Sequence, residues 1–188
     1  MDRFSPKPFV DAARAAFPIA NRDMAEEAIR HLTPWVDDTY RQRSFGFDVL
    51  GQSVQLPTRL DFPRLSAEDG TLSNLSEPAL CLVSRATDGF LRQRAATSIA
   101  ALRAEWAAPF VSALLGDYVV EVVEVICEAM PEFDQALYAN FVRENRTAVR
   151  TIRAQATSYW AAYYRDRFPE KRDYPALKAL HQMETWAA

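Results

Sequence analysis

The chain reads DGFLRQRA at residues 88–95, with an acidic residue and a glycine ahead of an apolar position, an arginine and an alanine. The apolar position of this stretch, Leu91, is followed at equal intervals of 29 residues by Val120 and Val149. The residues three positions before them are Asp88, Asp117 and Arg146. Self-similarity at a fixed period is typical of stacked supersecondary units. The spacing therefore predicts a repeated helical hairpin.

Helix-start signals support this repeat on both sides of the quoted stretch. Ser76 precedes a proline in the first turn of a predicted helix, and Asp88 opens the next one. Gly116-Asp117 separates a third helix from a fourth, and Pro131 opens a fifth. With a sixth beginning near Asn145, we expect three antiparallel pairs with short connections between residues 76 and 164.

The motif D-x-x-[apolar]-R-x-x-A resembles the second helix of the short HEAT-like repeat family. The first copy matches at Asp88, Leu91, Arg92 and Ala95. The second keeps the aspartate and the apolar residue but has Glu121 and Glu124, and the third keeps only Val149-Arg150. The resemblance covers about residues 76–164. It implies a right-handed α-solenoid with a partner-binding surface, and it implies no catalytic residue and no cofactor. A plain helical bundle is the alternative.

The residues before the repeat have a different pattern. Helices are predicted from Ser5 to Phe17, from Met24 to Leu32 and briefly after Thr33. Alternating apolar residues between 45 and 62, around Gly51-Gln52, predict a β-hairpin. The resulting fold class is mainly α: a HEAT-like α-solenoid of about three helical hairpins with an N-terminal helical segment and a small β-hairpin. We expect residues 1–75 to pack as a cap on residues 76–188, which end in a capping helix.

Charged residues recur at matching positions of the predicted second helices. One column contains Arg92, Glu121 and Arg150, and the column one turn later contains Ala95, Glu124 and Arg153. In a stack, Glu124 is placed to pair with Arg153. Such a column is either an inter-repeat ladder, worth about 0.2 to 1 kcal/mol for each exposed pair, or a face that binds a charged partner.

An aromatic group lies at the end of the last predicted repeat. It contains Tyr159, Trp160, Tyr163, Tyr164 and Phe168. Spacings of one and four residues spread these rings around more than half of the helix, so one packing face cannot bury all of them. Either the C-terminal helix from Tyr174 covers the excess, or some rings are exposed beside Arg165 and Arg167 and form a binding patch.

Motifs that carry chemistry are scarce in this sequence. The 188 residues contain two cysteines without CxxC spacing and two histidines, and neither histidine lies among the acidic residues of the repeat. We therefore predict no metal, no cofactor and no catalytic residue. We expect Cys81 and Cys127 to be buried, reduced thiols. No stretch has the length and apolarity of a signal peptide or a membrane span, which favours a cytoplasmic protein.

The function most consistent with these features is a non-catalytic protein-interaction or scaffold protein. Its partner, another protein, would bind the second-helix face or the aromatic end. The alternative is an enzyme or small-ligand-binding protein with a pocket between the β-hairpin and the first repeat, where Trp35, Tyr40, Arg59 and Asp61 would converge. Nucleic-acid binding is disfavoured because the net charge is -3.

Overall fold

A computed structural model describes residues 7–36, 43–68 and 70–188 of the chain. The predicted cap at Ser5 and the candidate pocket residue Tyr40 lie outside the described residues. The protein is mainly helical with one small antiparallel sheet, as the sequence predicts. The chain divides into two compact units, residues 1–99 and 100–188, instead of dividing after residue 75.

The first unit contains the β-hairpin and the helices that surround it. Its helices are α1 (Lys7–Ala15), α2 (Arg22–Leu32), α3 (Glu77–Val83) and α4 (Gly89–Ile99), and its strands are β1 (Ser44–Val49) and β2 (Gln52–Pro57). The short helix predicted after Thr33 is a 3-10 turn over Thr33–Trp35. The strands are antiparallel, and β2 packs against α1.

The β-hairpin turns one residue earlier than the sequence predicts. Val49 pairs with Gln52, so the two turn residues are Leu50 and Gly51, with φ of 53° and 72°. Both values lie in the left-handed region that a two-residue hairpin of type I′ requires. Glycine adopts this region freely, but leucine does so only with strain. The alternation of apolar residues fixes the strand faces, and it does not fix which residues form the turn.

The connection between α3 and α4 holds the chain that follows β2. Leu60, predicted to lie in the second strand, instead forms a parallel bridge with Ala86. Its N–H donates to the carbonyl of Arg85 at 2.7 Å, and its carbonyl accepts from the N–H of Thr87 at 2.8 Å. The Arg85 guanidinium also donates to the carbonyl of Pro57 at 3.1 Å. These bonds join α3 and α4 to the hairpin, which is why the first compact unit extends to Ile99.

The second unit contains five helices and one π-helical segment. The helices are α5 (Ala108–Leu114), α6 (Val120–Ala129), α7 (Gln135–Glu144), α8 (Arg146–Tyr159) and α9 (Pro175–Ala187), and the π-helical segment is Trp160–Tyr164. Contacts join α5 to α6 and α7 to α8, as expected for consecutive helices, and a single residue, Asn145, separates α7 from α8. The predicted capping helix, α9, packs against α6, α7 and α8. These contacts establish helical packing, whereas the solenoid stays a prediction.

Each unit contains one short helix that is apolar on nearly all sides. In α3, every residue from Pro78 to Val83 is buried, and in α5 all seven residues are buried. A helix without a polar face belongs to the interior of a domain, because it has no side suited to water. The helices α2 and α4 pack against α3, and α6 and α8 pack against α5. The predicted site residues Glu121, Glu124, Arg150 and Arg153 lie on α6 and α8.

Candidate functional site

Arg92 differs from the other charged residues predicted to bind a partner, because its side chain is fully buried. Its guanidinium donates to the carbonyls of Ala86 at 2.9 Å and Thr87 at 2.8 Å, in the connection between α3 and α4. The preceding Asp88 caps α4 by accepting from the N–H of Leu91 at 2.8 Å. A buried arginine that satisfies buried carbonyls stabilises a turn. Arg92 therefore does not lie on an open binding face, contrary to the prediction from the sequence.

The predicted pair of Glu124 and Arg153 is replaced by two other ion pairs within the second unit. Glu124 accepts from Arg167 at 2.6 Å. Arg153 contacts Glu184 of α9 through two bonds, of 3.1 Å and 2.6 Å. Both pairs join residues far apart in sequence, and the two-bond geometry of the second fixes α9 against α8. These charges therefore connect helices and the segment after α8.

The remaining two charged candidates are exposed. Glu121 lies in the first turn of α6, where a carboxylate is favoured by the helix dipole. Arg150 lies on α8, and its guanidinium donates to the hydroxyl of Thr147 at 3.2 Å. Asp117, four residues before Glu121, is buried ahead of α6 and accepts from the N–H of Val119.

The aromatic group is only partly covered by the C-terminal helix. Tyr174, just before α9, stacks on Tyr164 with ring centroids 5.6 Å apart and contacts Phe168 edge-on at 5.7 Å. Trp160 is half-buried and donates its indole N–H to the carbonyl of Phe168 at 2.8 Å. In contrast, Tyr163 keeps 69% of its surface exposed. The residues around the C-terminal helix therefore cover part of the aromatic group, and Tyr163 stays exposed.

Tyr163 belongs to a group of three tyrosines, called here the tyrosine patch, formed by Tyr118, Tyr159 and Tyr163. The rings of Tyr159 and Tyr163 stack with centroids 6.5 Å apart, and Tyr118 meets Tyr159 edge-on at 6.1 Å. Tyr118 is 44% exposed. Sequence reasoning missed Tyr118, because it lies in a connection, 41 positions before Tyr159. Its position directly after the Gly116-Asp117 turn was the available signal.

Tyr164 holds the two sides of the tyrosine patch together. Its hydroxyl donates to the carbonyl of Tyr118 at 2.6 Å and accepts from the N–H of Val120 at 3.2 Å. The second bond satisfies an N–H at the beginning of α6 that has no partner within the helix. Burial raises the pKa of the Tyr164 hydroxyl, although the Val120 bond acts in the opposite direction and nearby Glu121 raises the pKa further. Tyr164 is therefore a protonated donor at neutral pH.

The π-helical segment contains two of these tyrosines, Tyr163 and Tyr164. It spans Trp160–Tyr164, directly after α8. A π-helical turn is wider than an α-helical turn and less favourable, and such turns occur frequently at functional sites. Here the segment includes both Tyr163, which is exposed, and Tyr164, which reaches the beginning of α6. Arg165 follows it and lies over the Trp160 ring, 5.0 Å from the centroid.

The two cysteines are unsuited to nucleophilic chemistry. Both are free, with Cys81 buried and Cys127 half-buried. Desolvation by burial raises the pKa of Cys127 to about 12, helped by the nearby carboxylates of Glu124 and Glu128. Burial likewise raises the pKa of Cys81 well above its usual value. Because the thiolate is the reactive form, neither side chain is an activated nucleophile at neutral pH.

Two of the residues predicted to line the alternative pocket, between the β-hairpin and the first repeat, make hydrogen bonds within the protein. Asp61 accepts from the hydroxyl of Thr87 at 2.8 Å, and Arg59 donates to the carbonyl of Thr58 at 2.8 Å. The bond of Asp61 joins the residues after the hairpin to the connection from α3 to α4, whereas the bond of Arg59 is local. Trp35 is half-buried at the end of its 3-10 turn.

Among residues 7–36, 43–68 and 70–188, no three His, Cys, Asp or Glu side chains group as a metal site would require. Within those ranges, no helix has the length and apolarity needed to span a bilayer.

Comparison with the profiles of known protein families, with curated protein sequences and with solved structures finds no match to this chain. The interpretation of the site therefore depends on its residues and their geometry.

Proposed function

We propose that this chain is a non-catalytic protein-interaction module that binds a partner protein through the tyrosine patch. One observation carries the proposal: three tyrosine rings contact each other, and two of them are substantially exposed. Tyrosine is enriched among residues that dominate binding energy, because one rigid side chain offers both an apolar ring and a polar hydroxyl.

Preorganisation strengthens the case for the patch. Binding orders side chains, and each flexible side chain that becomes fixed costs about 0.5 to 1.5 kcal/mol. The rings of Tyr159 and Tyr163 already stack on each other, and the Tyr164 hydroxyl holds the backbone of Tyr118. A partner that contacts these rings therefore loses less conformational entropy than it would with isolated tyrosines.

The surroundings of the patch indicate which partner chemistry fits. Glu121 is exposed in the first turn of α6, and it lies near enough to the Tyr164 hydroxyl to raise the pKa of that group. An arginine side chain of a partner suits this surface, since its guanidinium stacks on a tyrosine face and pairs with a carboxylate. The HEAT-like resemblance, with its expectation of a partner-binding surface, points in the same direction.

The test compares three baits in affinity capture from native cell extract: the unchanged protein, Tyr163→Ser and Phe90→Ser. Phe90 is a matched control because its ring is 75% exposed and it lies in the first unit. We expect at least one protein to be retained by the unchanged bait and by Phe90→Ser, and reduced at least tenfold with Tyr163→Ser. Its purified form should show the same difference in direct titration. Equal retention by all three baits contradicts the proposal, as does an unchanged bait that retains nothing above bare resin.

A further inference from the structure

A basic groove lies on the second unit, between the ends of α7 and α9 and the first half of α8. Its volume is about 380 Å³. The side chains that line it include Val142, Arg143, Arg146, Val149, Arg150 and Glu184, and the last turn of α9 completes its wall. None of the three tyrosines of the patch lines this groove.

The charge of the groove side chains is positive because the single acidic side chain among them is already paired. Glu184 is held by Arg153 through two hydrogen bonds. In the described part of the chain, Arg143, Arg146 and Arg150 form no ion pair. Three guanidiniums therefore face one groove without an acidic side chain paired to them among the described residues.

Two of these arginines occupy positions that are unfavourable for the helix itself. Arg146 is the first residue of α8, whose first turn contains no acidic residue. A cation there opposes the positive end of the helix dipole. Arg150 follows four residues later on the same face, and like charges at that spacing destabilise a helix. A bound anion would remove both penalties.

The three arginines also retain donors for a ligand. Arg143 is oriented by bonds from its guanidinium to the carbonyl of Ala187 at 3.1 Å and to the side-chain oxygen of Asn140 at 2.7 Å. Arg150 makes one bond, to Thr147. An arginine has five N–H donors, so most of the donors of these side chains are available. Carboxylates match the planar fork of a guanidinium with two parallel bonds.

We propose that this groove binds an acidic peptide segment of a partner protein, with an apolar side chain seated between its carboxylates. Charge complementarity supplies the first part of the argument, since Arg143, Arg146 and Arg150 pair with carboxylates. Val142 and Val149, which are largely buried but line the groove, supply the second, because they offer an apolar contact that a bare anion does not use.

A short acidic peptide fits better than a nucleic acid. Nucleic acids draw most of their affinity from many phosphate contacts along an extended basic surface. This groove offers three arginines on a chain whose net charge is -3. The long-range field of the whole protein therefore disfavours a long polyanion that extends beyond the groove, whereas a short ligand responds mainly to the local charges of the groove.

Fluorescence anisotropy with a defined probe tests this proposal. The probe is a fluorescein-labelled peptide of four Glu-Glu-Leu repeats, and its control has glutamine in place of every glutamate. We expect the acidic peptide to bind in 100 mM NaCl and the glutamine peptide to bind at least tenfold more weakly. Arg146→Gln and Arg150→Gln should each weaken binding about fivefold or more, since each removes charge-assisted bonds. Arg172→Gln, which removes an equivalent exposed charge outside the groove, should leave binding unchanged.

Several results would overturn the proposal. They include no binding of the acidic peptide, equal binding of the glutamine peptide, and equal losses in Arg146→Gln and Arg172→Gln. Tighter binding of a labelled twelve-nucleotide thymidine strand, lost in Arg146→Gln, would make the groove a nucleic-acid site. If sedimentation shows self-association that Arg146→Gln abolishes, the groove is an interface between two copies of the chain. Tyr163→Ser should not affect the peptide, so failure of the tyrosine-patch proposal is distinguishable from failure here.

Discussion

Replacing Arg92 with methionine isolates the contribution of a buried guanidinium to the first unit. The side chain is fully buried and donates to the carbonyls of Ala86 and Thr87, at 2.9 Å and 2.8 Å. Methionine keeps an unbranched apolar stem of similar reach, so packing changes little. What Arg92→Met removes is the donors, and two carbonyls lose a hydrogen-bond partner.

The expected loss follows from these two bonds. A hydrogen bond that involves a charged group contributes about 1.5 to 3 kcal/mol, and an unsatisfied buried carbonyl costs about 1 to 3 kcal/mol. Removing a buried charge also relieves its desolvation penalty, which offsets part of the loss. We therefore expect Arg92→Met to lower the free energy of unfolding by about 2 to 4 kcal/mol. Domains of this size are stable by only about 5 to 15 kcal/mol, so the effect should be large.

Urea denaturation followed by circular dichroism measures this loss, and amide hydrogen exchange locates it. Faster exchange should appear at Leu60 and Thr87, whose N–H groups bond within the connection that Arg92 supports. Arg92→Lys serves as the control. Both bonds of Arg92 come from one nitrogen, Nη1, and lysine keeps the charge and a terminal nitrogen with three donors, so its loss should be smaller. A loss below about 0.5 kcal/mol for Arg92→Met, or faster exchange confined to the second unit, would refute this reasoning.

Two further predictions concern the hairpin turn and the second cysteine. Leu50→Asn should raise the free energy of unfolding by about 0.5 to 1 kcal/mol, since Asn-Gly is a preferred type I′ turn and Leu50 is half-exposed with positive φ; a lower urea midpoint would contradict it. Cys127 should react with iodoacetamide at pH 8 at least about a hundredfold more slowly than in the urea-unfolded chain, because burial raises its pKa to about 12. Since the folded pKa exceeds the unfolded value of about 8.5, the contribution of this thiol to stability is present below pH 8.5 and is lost as the pH rises toward 12. Similar labelling rates in the two states would show that the thiol is accessible.

Local sequence signals predicted the elements because their physical causes are local. Asp88 opens a helix and does cap α4, accepting from the N–H three residues later. Alternating apolar residues predicted the β-hairpin, and its alternate residues Phe47, Val49, Val54 and Leu56 are buried. The fold class is confirmed as mainly helical with a small sheet. The arrangement of hairpins as a solenoid depends on long-range packing and stays a prediction.

The candidate site was harder to predict, because its contacts join distant residues. Helical periodicity places Arg92 and Arg150 at equivalent positions, yet one is buried against backbone carbonyls and the other is exposed. The difference arises from the connection beside Arg92, which periodicity does not describe. Similarly, Glu124 pairs with Arg167, 43 residues later, since the π-helical segment and the residues after it return toward α6. The spacing of aromatic residues left open whether any ring stays exposed, and the structure identifies Tyr163 as an exposed ring.

The π-helical segment Trp160–Tyr164 also affects which changes in chain length the second unit tolerates. One extra residue in an α-helix rotates everything beyond it by about 100°, because each turn contains 3.6 residues. Inserted early in α8, such a residue would turn Ile152 and Ala156 away from the interior they now occupy. A wide turn takes up one additional residue and leaves the helix before it unchanged. The end of α8 is therefore a place where one residue can be lost while Ile152 and Ala156, which precede it, keep their register.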